Sequence, residues 1–144
     1  MHDNVIISIK GRQENDNGPD EMELVTEGRL ICNEKGVLVS YQETELTGLQ
    51  GTTTMLRIIG PVVTLMREGT VNSQMVFEEG RRHLSMYETP YGAMSVGINT
   101  RRVKSTISEF GGDLEIDYSI EVDNFMIGRN FFTMNVKRDT ALKQ

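Results

Sequence analysis

Between Leu114 and Val122 the chain reads Leu-Glu-Ile-Asp-Tyr-Ser-Ile-Glu-Val, with apolar and polar residues in strict alternation. Only an extended strand places every second side chain on one face, so this segment has a dry side and a wet side. The same cadence returns along nearly the whole chain. It is seen at Val5, Ile7 and Ile9, at Met22, Leu24, Thr26, Leu30 and Cys32, and at Val37, Val39, Tyr41 and Glu43. Further strand-like stretches run over Thr52 to Ile59, Val62 to Arg67, Val71 to Phe77, His83 to Thr89, Ala93 to Lys104 and Phe131 to Val136.

Short glycine, asparagine and aspartate punctuation separates these segments, as at Asn33-Glu34-Lys35-Gly36, Gly60-Pro61 and Glu78-Glu79-Gly80, which reads as hairpin turns. No apolar stripe at helical spacing persists for about ten residues. A short helix is expected only at Asp123 to Arg129 or at the C-terminus. The polar stretch from Gly11 to Glu21, with its Asn-Asp-Asn-Gly-Pro-Asp core, has the composition of a mobile loop.

The fold expected from this pattern is all-β, a single antiparallel up-and-down barrel of about eight to ten strands, because closure removes the exposed edges a flat sheet would leave. A two-sheet sandwich is the competing arrangement. The whole chain, residues 1–144, forms one domain with no linker or internal repeat. A chain of this length buries enough surface to fold without disulfides or metals, and its single cysteine, Cys32, cannot form an internal disulfide. The alternation points Cys32 inward as a small buried hydrophobe. No export signal or membrane span opens the sequence, so a reducing cytoplasm is the expected location.

A formal charge of −6 disfavours a nucleic-acid surface, which needs clustered cations along one face. The basic groups that do cluster, Arg81-Arg82 and Arg101-Arg102 with Lys104, read as a solvated rim near strand ends, with anion binding as the sharper reading. Enzyme signatures are sparse. Only His2 and His83 offer imidazoles, no Cys/His set has zinc spacing, and no phosphate-binding glycine motif occurs. Cofactors are accordingly not expected. Glu43 and Glu45, two apart on a strand, would lie roughly 6.5–7 Å apart, within glycosidase range, but such spacing arises by chance in most strands. Asp16-Asn17-Gly18 with Asp20 could supply oxygens to calcium, though a loop explains them as well.

The suggestive constellation is Tyr41 and Glu43 beside Arg67. The first two continue the face of Val37 and Val39, and Arg67 continues that of Val63 and Leu65. If both faces point inward, Arg67 can offer a bidentate fork to Glu43 or to a ligand's carboxylate or phosphate. The alternatives are a purely structural polar network and, should Val62-Val63 slip the register by one residue, a place on the surface. Tyr87 and Tyr91 flank Pro90 near a barrel end, suiting a ligand mouth or a structural corner. Tyr118 points inward with Leu114 and Ile116. Met55, Met66, Met75, Met86, Met94, Met126 and Met134 fill core space or line an adaptable pocket.

Several features also recur in a familiar order: Thr26-Glu27-Gly28, Tyr41-x-Glu43, Thr53-Thr54, Arg67-x-Gly69, Phe77 with Gly80, and Tyr87-x-Thr89-Pro90-Tyr91-Gly92, then Thr100, Gly112 and Tyr118. This series resembles the bacterial YwiB-like family of small uncharacterised proteins, grouped with calycin-like β-barrels. The resemblance covers nearly the entire chain and implies a lipocalin-like barrel in a bacterial cytoplasm, with no established activity. Together the readings favour a non-enzymatic barrel that binds a small apolar or amphipathic ligand. The candidate contacts are Tyr41, Glu43, Arg67, Tyr87, Tyr91 and Tyr118. A structural or interaction module with a filled interior is the alternative, and a homodimer through a barrel edge or an exposed apolar face is compatible with either.

Overall fold

The computed structural model describes residues 2–15, 18–70, 72–89 and 91–139. Ten strands account for most of them: β1 (His2–Asn15), β2 (Gly18–Asn33), β3 (Gly36–Gln42), β4 (Thr52–Ile59), β5 (Val62–Gly69), β6 (Ser73–Glu78), β7 (Arg82–Thr89), β8 (Gly92–Ser105), β9 (Gly112–Val122) and β10 (Phe125–Arg138). All ladders are antiparallel, and their order is β6-β5-β4-β3-β2-β1-β10-β9-β8-β7. Apart from β6 and β7, strands adjacent in sequence pair along the meander, and β1 with β10 joins its two halves. The terminal strands of that order, β6 and β7, pack side by side. The result is a nearly closed up-and-down barrel rather than a sandwich.

No ladder joins β6 to β7 among the described residues. That seam is held in other ways. The turn between the two strands bonds to β8, with Gly80 N donating to Thr100 O at 2.9 Å and Thr100 N donating to Arg81 O at 3.1 Å. His83 Nε2 lies 3.3 Å from Glu78 Oε1. Inside, the Phe77 ring of β6 packs on the Tyr118 ring of β9 with centroids 4.7 Å apart.

Period-two burial is clearest on the short central strands. On β4, Thr52, Thr54, Leu56 and Ile58 are buried while the intervening residues are partly or fully exposed. The fully buried set includes Val5, Ile7, Leu30, Val39, Leu56, Val63, Phe77, Ile98, Leu114, Met134 and Val136. Each such side chain removed from water is worth about 1.5–3 kcal/mol. Cys32 is half-buried against this core. The connection between β8 and β9 turns back on itself, with Ser108 N donating to Gly111 O at 2.9 Å, and adds Ile107 to the core.

Two local expectations need correction. The 11–21 stretch is not a loop over most of its length: Gly11 pairs with Met22, Gln13 with Asp20 and Asn15 with Gly18, so β1 and β2 run on as a long hairpin. Polar side chains do not prevent a ladder, because the backbone makes its bonds. Residues 16 and 17, and with them the Asp16-Asn17 part of the calcium reading, lie outside the described residues. The segment Asp123 to Arg129 is a tight turn leading into β10, not a helix. Asp123 and Asn124 adopt φ of 51° and 68°, the left-handed pair that a two-residue hairpin turn demands and that Asp and Asn tolerate.

Gly28 on β2 marks a close approach inside the barrel. A Cβ there would sit 2.4 Å from both Ile7 Cδ1 and the backbone oxygen of Ser40. Only a residue without a side chain lets β2 pass this near to β1 and β3.

A polar half-lumen as candidate functional site

The ladder registers carry inward-facing polar residues into two rows. Across β2 to β6, Gly28 pairs with Tyr41, Tyr41 with Thr54, Thr54 with Arg67 and Arg67 with Ser73. Across β8, β9, β10 and β1, Thr100 pairs with Tyr118, Tyr118 with Asn130 and Asn130 with Gln13. Arg67 therefore continues the buried face of Val63 and Leu65, and Glu43 is 6% exposed. Both register questions left by the sequence resolve inward.

The rows meet around a cavity of about 450 Å³. Ile9, Leu24, Leu65, Met75 and Phe132 supply apolar wall. Gln13, Tyr41, Glu43, Arg67, Tyr118 and Asn130 supply polar groups. Arg12, Asp20, Glu21 and Met22 also border it, and Asp20, Glu21 and Met22 are exposed. The volume falls within the range of roughly 300–1,000 Å³ typical of small-molecule sites.

Glu43 does not pair with Arg67. Its Oε1 accepts from Thr54 Oγ1 at 2.7 Å and its Oε2 from Thr47 Oγ1 at 2.7 Å. The local chain explains this. β3 ends at Gln42, and residues Glu45–Thr47 form one 3-10 turn capped by the Thr44 side chain, which accepts from Leu46 N at 3.2 Å. That turn swings Thr47 back over the carboxylate. It also takes Glu45 off the strand and into solvent, so the two glutamates do not form a strand pair.

Arg67 is left with a different character. Its Nε is buried and meets no acceptor among the described residues, and the same holds for Asn130 Nδ2 and Ser73 Oγ. The guanidinium is near enough to both phenols to act on their ionisation. Burial pushes the Tyr41 hydroxyl well above the usual phenol range, the negative charge of Glu43 adds to that, and Arg67 opposes it. Burial likewise raises Tyr118, again with Arg67 opposing. Both phenols therefore stay protonated well into the alkaline range, and the Tyr41 hydroxyl bonds to the Glu43 carboxylate.

Of the residues singled out from sequence, the structure brings Tyr41, Glu43, Arg67 and Tyr118 together on this cavity. Tyr91 is not with them: it lies immediately before β8 and is 99% exposed. Tyr87 belongs to β7 by its backbone, and its side chain lies outside the described residues, as does Pro90. Sequence reasoning missed Gln13, Thr47, Thr54 and Asn130. Thr54 carried a usable signal, since it alternates in step with Leu56 and Ile58. Thr47 carried none, because a 3-10 turn brings it in.

The basic clusters sit on the outer face. Arg82 Nε donates to Glu121 Oε2 at 3.0 Å, and Arg129 forms a two-point contact with Asp117 at 3.3 and 3.0 Å while covering the Phe131 ring. Asp117 and Glu121 are therefore both paired with arginines. Among the described residues no group of His, Cys, Asp or Glu could hold a metal ion, and no helix is long and apolar enough to cross a membrane.

The Thr54 hydroxyl gives a direct test of how Glu43 is held. Thr54→Val keeps the shape but removes a donor to a buried carboxylate, and should cost about 1.5–3 kcal/mol in urea unfolding. Thr53→Val, on the opposite face, should shift the midpoint little.

Comparison with known proteins fits this architecture. The chain is 24% identical over 118 residues to the uncharacterized beta-barrel protein YwiB of Bacillus subtilis (strain 168), covering 82% of each. The crystal structure of the ywiB protein from Bacillus subtilis superposes with a TM-score of 0.85 at 22% identity, covering 96% of this chain and 94% of that one. Residues 7–134 match the model of a domain of unknown function, DUF1934. With that match spanning most of its length, the chain belongs to the DUF1934 family of β-barrel proteins.

Proposed function

We propose that this barrel takes a small amphipathic molecule into the polar half of its lumen and acts by binding rather than by catalysis. The observation that supports this reading is the cavity of about 450 Å³ whose lining combines apolar and polar side chains of the same strands, Leu65 with Arg67 on β5 and Phe132 with Asn130 on β10. A β-barrel of this size either fills its interior with side chains or holds one small ligand, and here the packed core stops short of this end. The proposed setting is the reducing cytoplasm, which suits a chain with one half-buried cysteine.

Native mass spectrometry of protein purified from its own host tests the reading. The expected result is one small-molecule adduct per chain, lost on solvent extraction and diminished by Met22→Trp, which narrows the exposed border of the cavity. Bare chain throughout, with no rise in melting temperature under saturating octanol, would overturn it.

A second reading, a protein-interaction surface, is favoured by one observation of its own. Leu84, Tyr91 and Met94 on the β7–β8 hairpin, and Phe125, Met126 and Ile127 at the β9–β10 turn, are large apolar residues left exposed. Surfaces of this kind mark association sites when they are contiguous. A homodimer through them predicts a sedimentation coefficient that falls to the monomer value in Phe125→Ser/Met126→Ser, and a wild type that already sediments as a monomer would dismiss it.

A further inference from the structure

The geometry points to an anionic head group on the ligand, a carboxylate or an oxyanion of similar size, seated against Arg67 and Asn130. This inference rests on the reading of the barrel as a binding protein and goes beyond it by naming the chemistry of the ligand's polar end.

Three features of the lumen carry the argument. First, Arg67 Nε and Asn130 Nδ2 are buried donors without an acceptor among the described residues, and both belong to residues on the cavity wall. A buried donor left unmade is costly, and a guanidinium more so than an amide, so the site is complementary to whatever supplies acceptor oxygens. Second, the available hydrogen-bond chemistry is one-sided. The two oxygens of Glu43 already accept from Thr47 and Thr54, and the Tyr41 hydroxyl bonds to the same carboxylate, which leaves the Tyr118 phenol as a further donor on the cavity wall. Third, the donors come from opposite walls. Arg67 stands on β5 and Asn130 on β10, with the Tyr118 strand beside the latter, so a planar carboxylate can be met from both sides, as a guanidinium fork favours.

The charged residues around the cavity set the competition. Glu43 is the buried carboxylate nearest the site, but no ion pair ties it to Arg67 among the described residues. Asp20 and Glu21 are exposed at the border, where solvent and salt screen them. Arg12 is engaged with Glu14 at 3.2 Å. Arg67 is thus the half-buried cation on the cavity wall whose Nε has unused hydrogen-bonding capacity among the described residues. A cationic head would meet that charge directly and leave both orphan donors unmade. The apolar tail would run along Leu24, Leu65, Met75 and Phe132.

Three probes with one tail and different heads decide the matter: octanoate, octanol and octylamine, titrated by calorimetry at neutral pH. Octanoate should bind at least about tenfold more tightly than octanol, and octylamine more weakly than either, in keeping with the gain from a charge-assisted contact. Arg67→Met keeps the length and apolar body of the side chain while removing its charge. In that variant the preference for octanoate over octanol should collapse to within about threefold, with octanol affinity retained. Asn130→Leu gives an independent check, reducing the octanoate preference in part, so the test survives if one variant fails to fold. Octanol or octylamine binding as tightly as octanoate to the wild type would overturn the head-group assignment while leaving a binding barrel in place. Failure of all three to bind would overturn both.

Discussion

Replacing Phe77 by alanine should destabilise the barrel by about 3–5 kcal/mol, a large share of the roughly 5–15 kcal/mol that holds a domain of this size together. The reason lies in where this ring sits. Phe77 is 2% exposed, belongs to β6, and faces Tyr118 of β9 with centroids 4.7 Å apart at a tilt of 59°. Everywhere else along the sheet, neighbouring strands are joined by backbone ladders. Between β6 and β7 no ladder forms among the described residues, so closure there relies on side-chain packing and on the few bonds from the Glu79-Gly80-Arg81 turn. Alanine would leave a void at that point and release the wall against which Tyr118 rests. Val76, on the other face of the same strand and only half-buried, provides the contrast: Val76→Ala should cost less than about 1.5 kcal/mol. Equal losses for the two substitutions in chemical denaturation would show that the seam does not depend on Phe77.

The architecture was legible because alternation is a local property that each strand displays for itself. Leu114 to Val122 shows it, and so do β3, β4 and β5. What could not be read locally is register. Val62-Val63 leaves the face of Arg67 open until β4 and β6 are set beside it; Val63 pairs with Ile58 on one side and Phe77 on the other, and Arg67 follows inward. The misread elements had the same origin. The Gly11 to Glu21 stretch was judged by its polar side chains, whereas its partner strand, invisible in a linear reading, continues the ladder. The candidate site was half visible. Tyr41, Glu43, Arg67 and Tyr118 stand out as polar residues on apolar faces. Asn130 and Gln13 did not, because their strands were read only as far as Phe131 and Ile9. Charge complementarity offers Arg67 as one partner for Glu43 and leaves a ligand as the other; the 3-10 turn brings Thr47 and the neighbouring strand brings Thr54 to the carboxylate instead.

This exchange of partners shapes what the lumen can do. Had Glu43 and Arg67 formed a closed pair, the polar half would be self-satisfied and its retention would be structural. With Glu43 satisfied by hydroxyls, the guanidinium has no acceptor at Nε among the described residues, an arrangement that stability alone does not favour. Local conflicts of this kind concentrate at functional sites, where the loss is offset elsewhere in the fold. Here the offset is the apolar half of the barrel, whose continuous packing from β1 through β10 tolerates a costly group at the other end.

Raising the pH above about 10 should unfold the protein progressively, driven by the two buried phenols. The sign follows from the direction of the shifts. Burial first, and the charge of Glu43 second, raise Tyr41 above its ordinary value, and burial raises Tyr118. The folded state therefore keeps its phenolic protons at a pH where the unfolded chain has released them. Stability is fully present below the unfolded phenol value of about 10 and is lost as the pH climbs toward the folded values. While Tyr41 stays protonated in the fold and ionised in the unfolded chain, each pH unit removes about 1.4 kcal/mol, close to 3 kcal/mol by about pH 12. Tyr118 adds a further loss over its own window. Urea midpoints measured from neutral pH upward should fall in this range, and phenolate absorbance from the buried pair should appear only as the fold is lost. Tyr41→Phe/Tyr118→Phe should flatten the alkaline limb while leaving the neutral-pH structure intact. An alkaline limb equally steep in that variant would assign the loss to other groups and remove the buried phenols from the explanation.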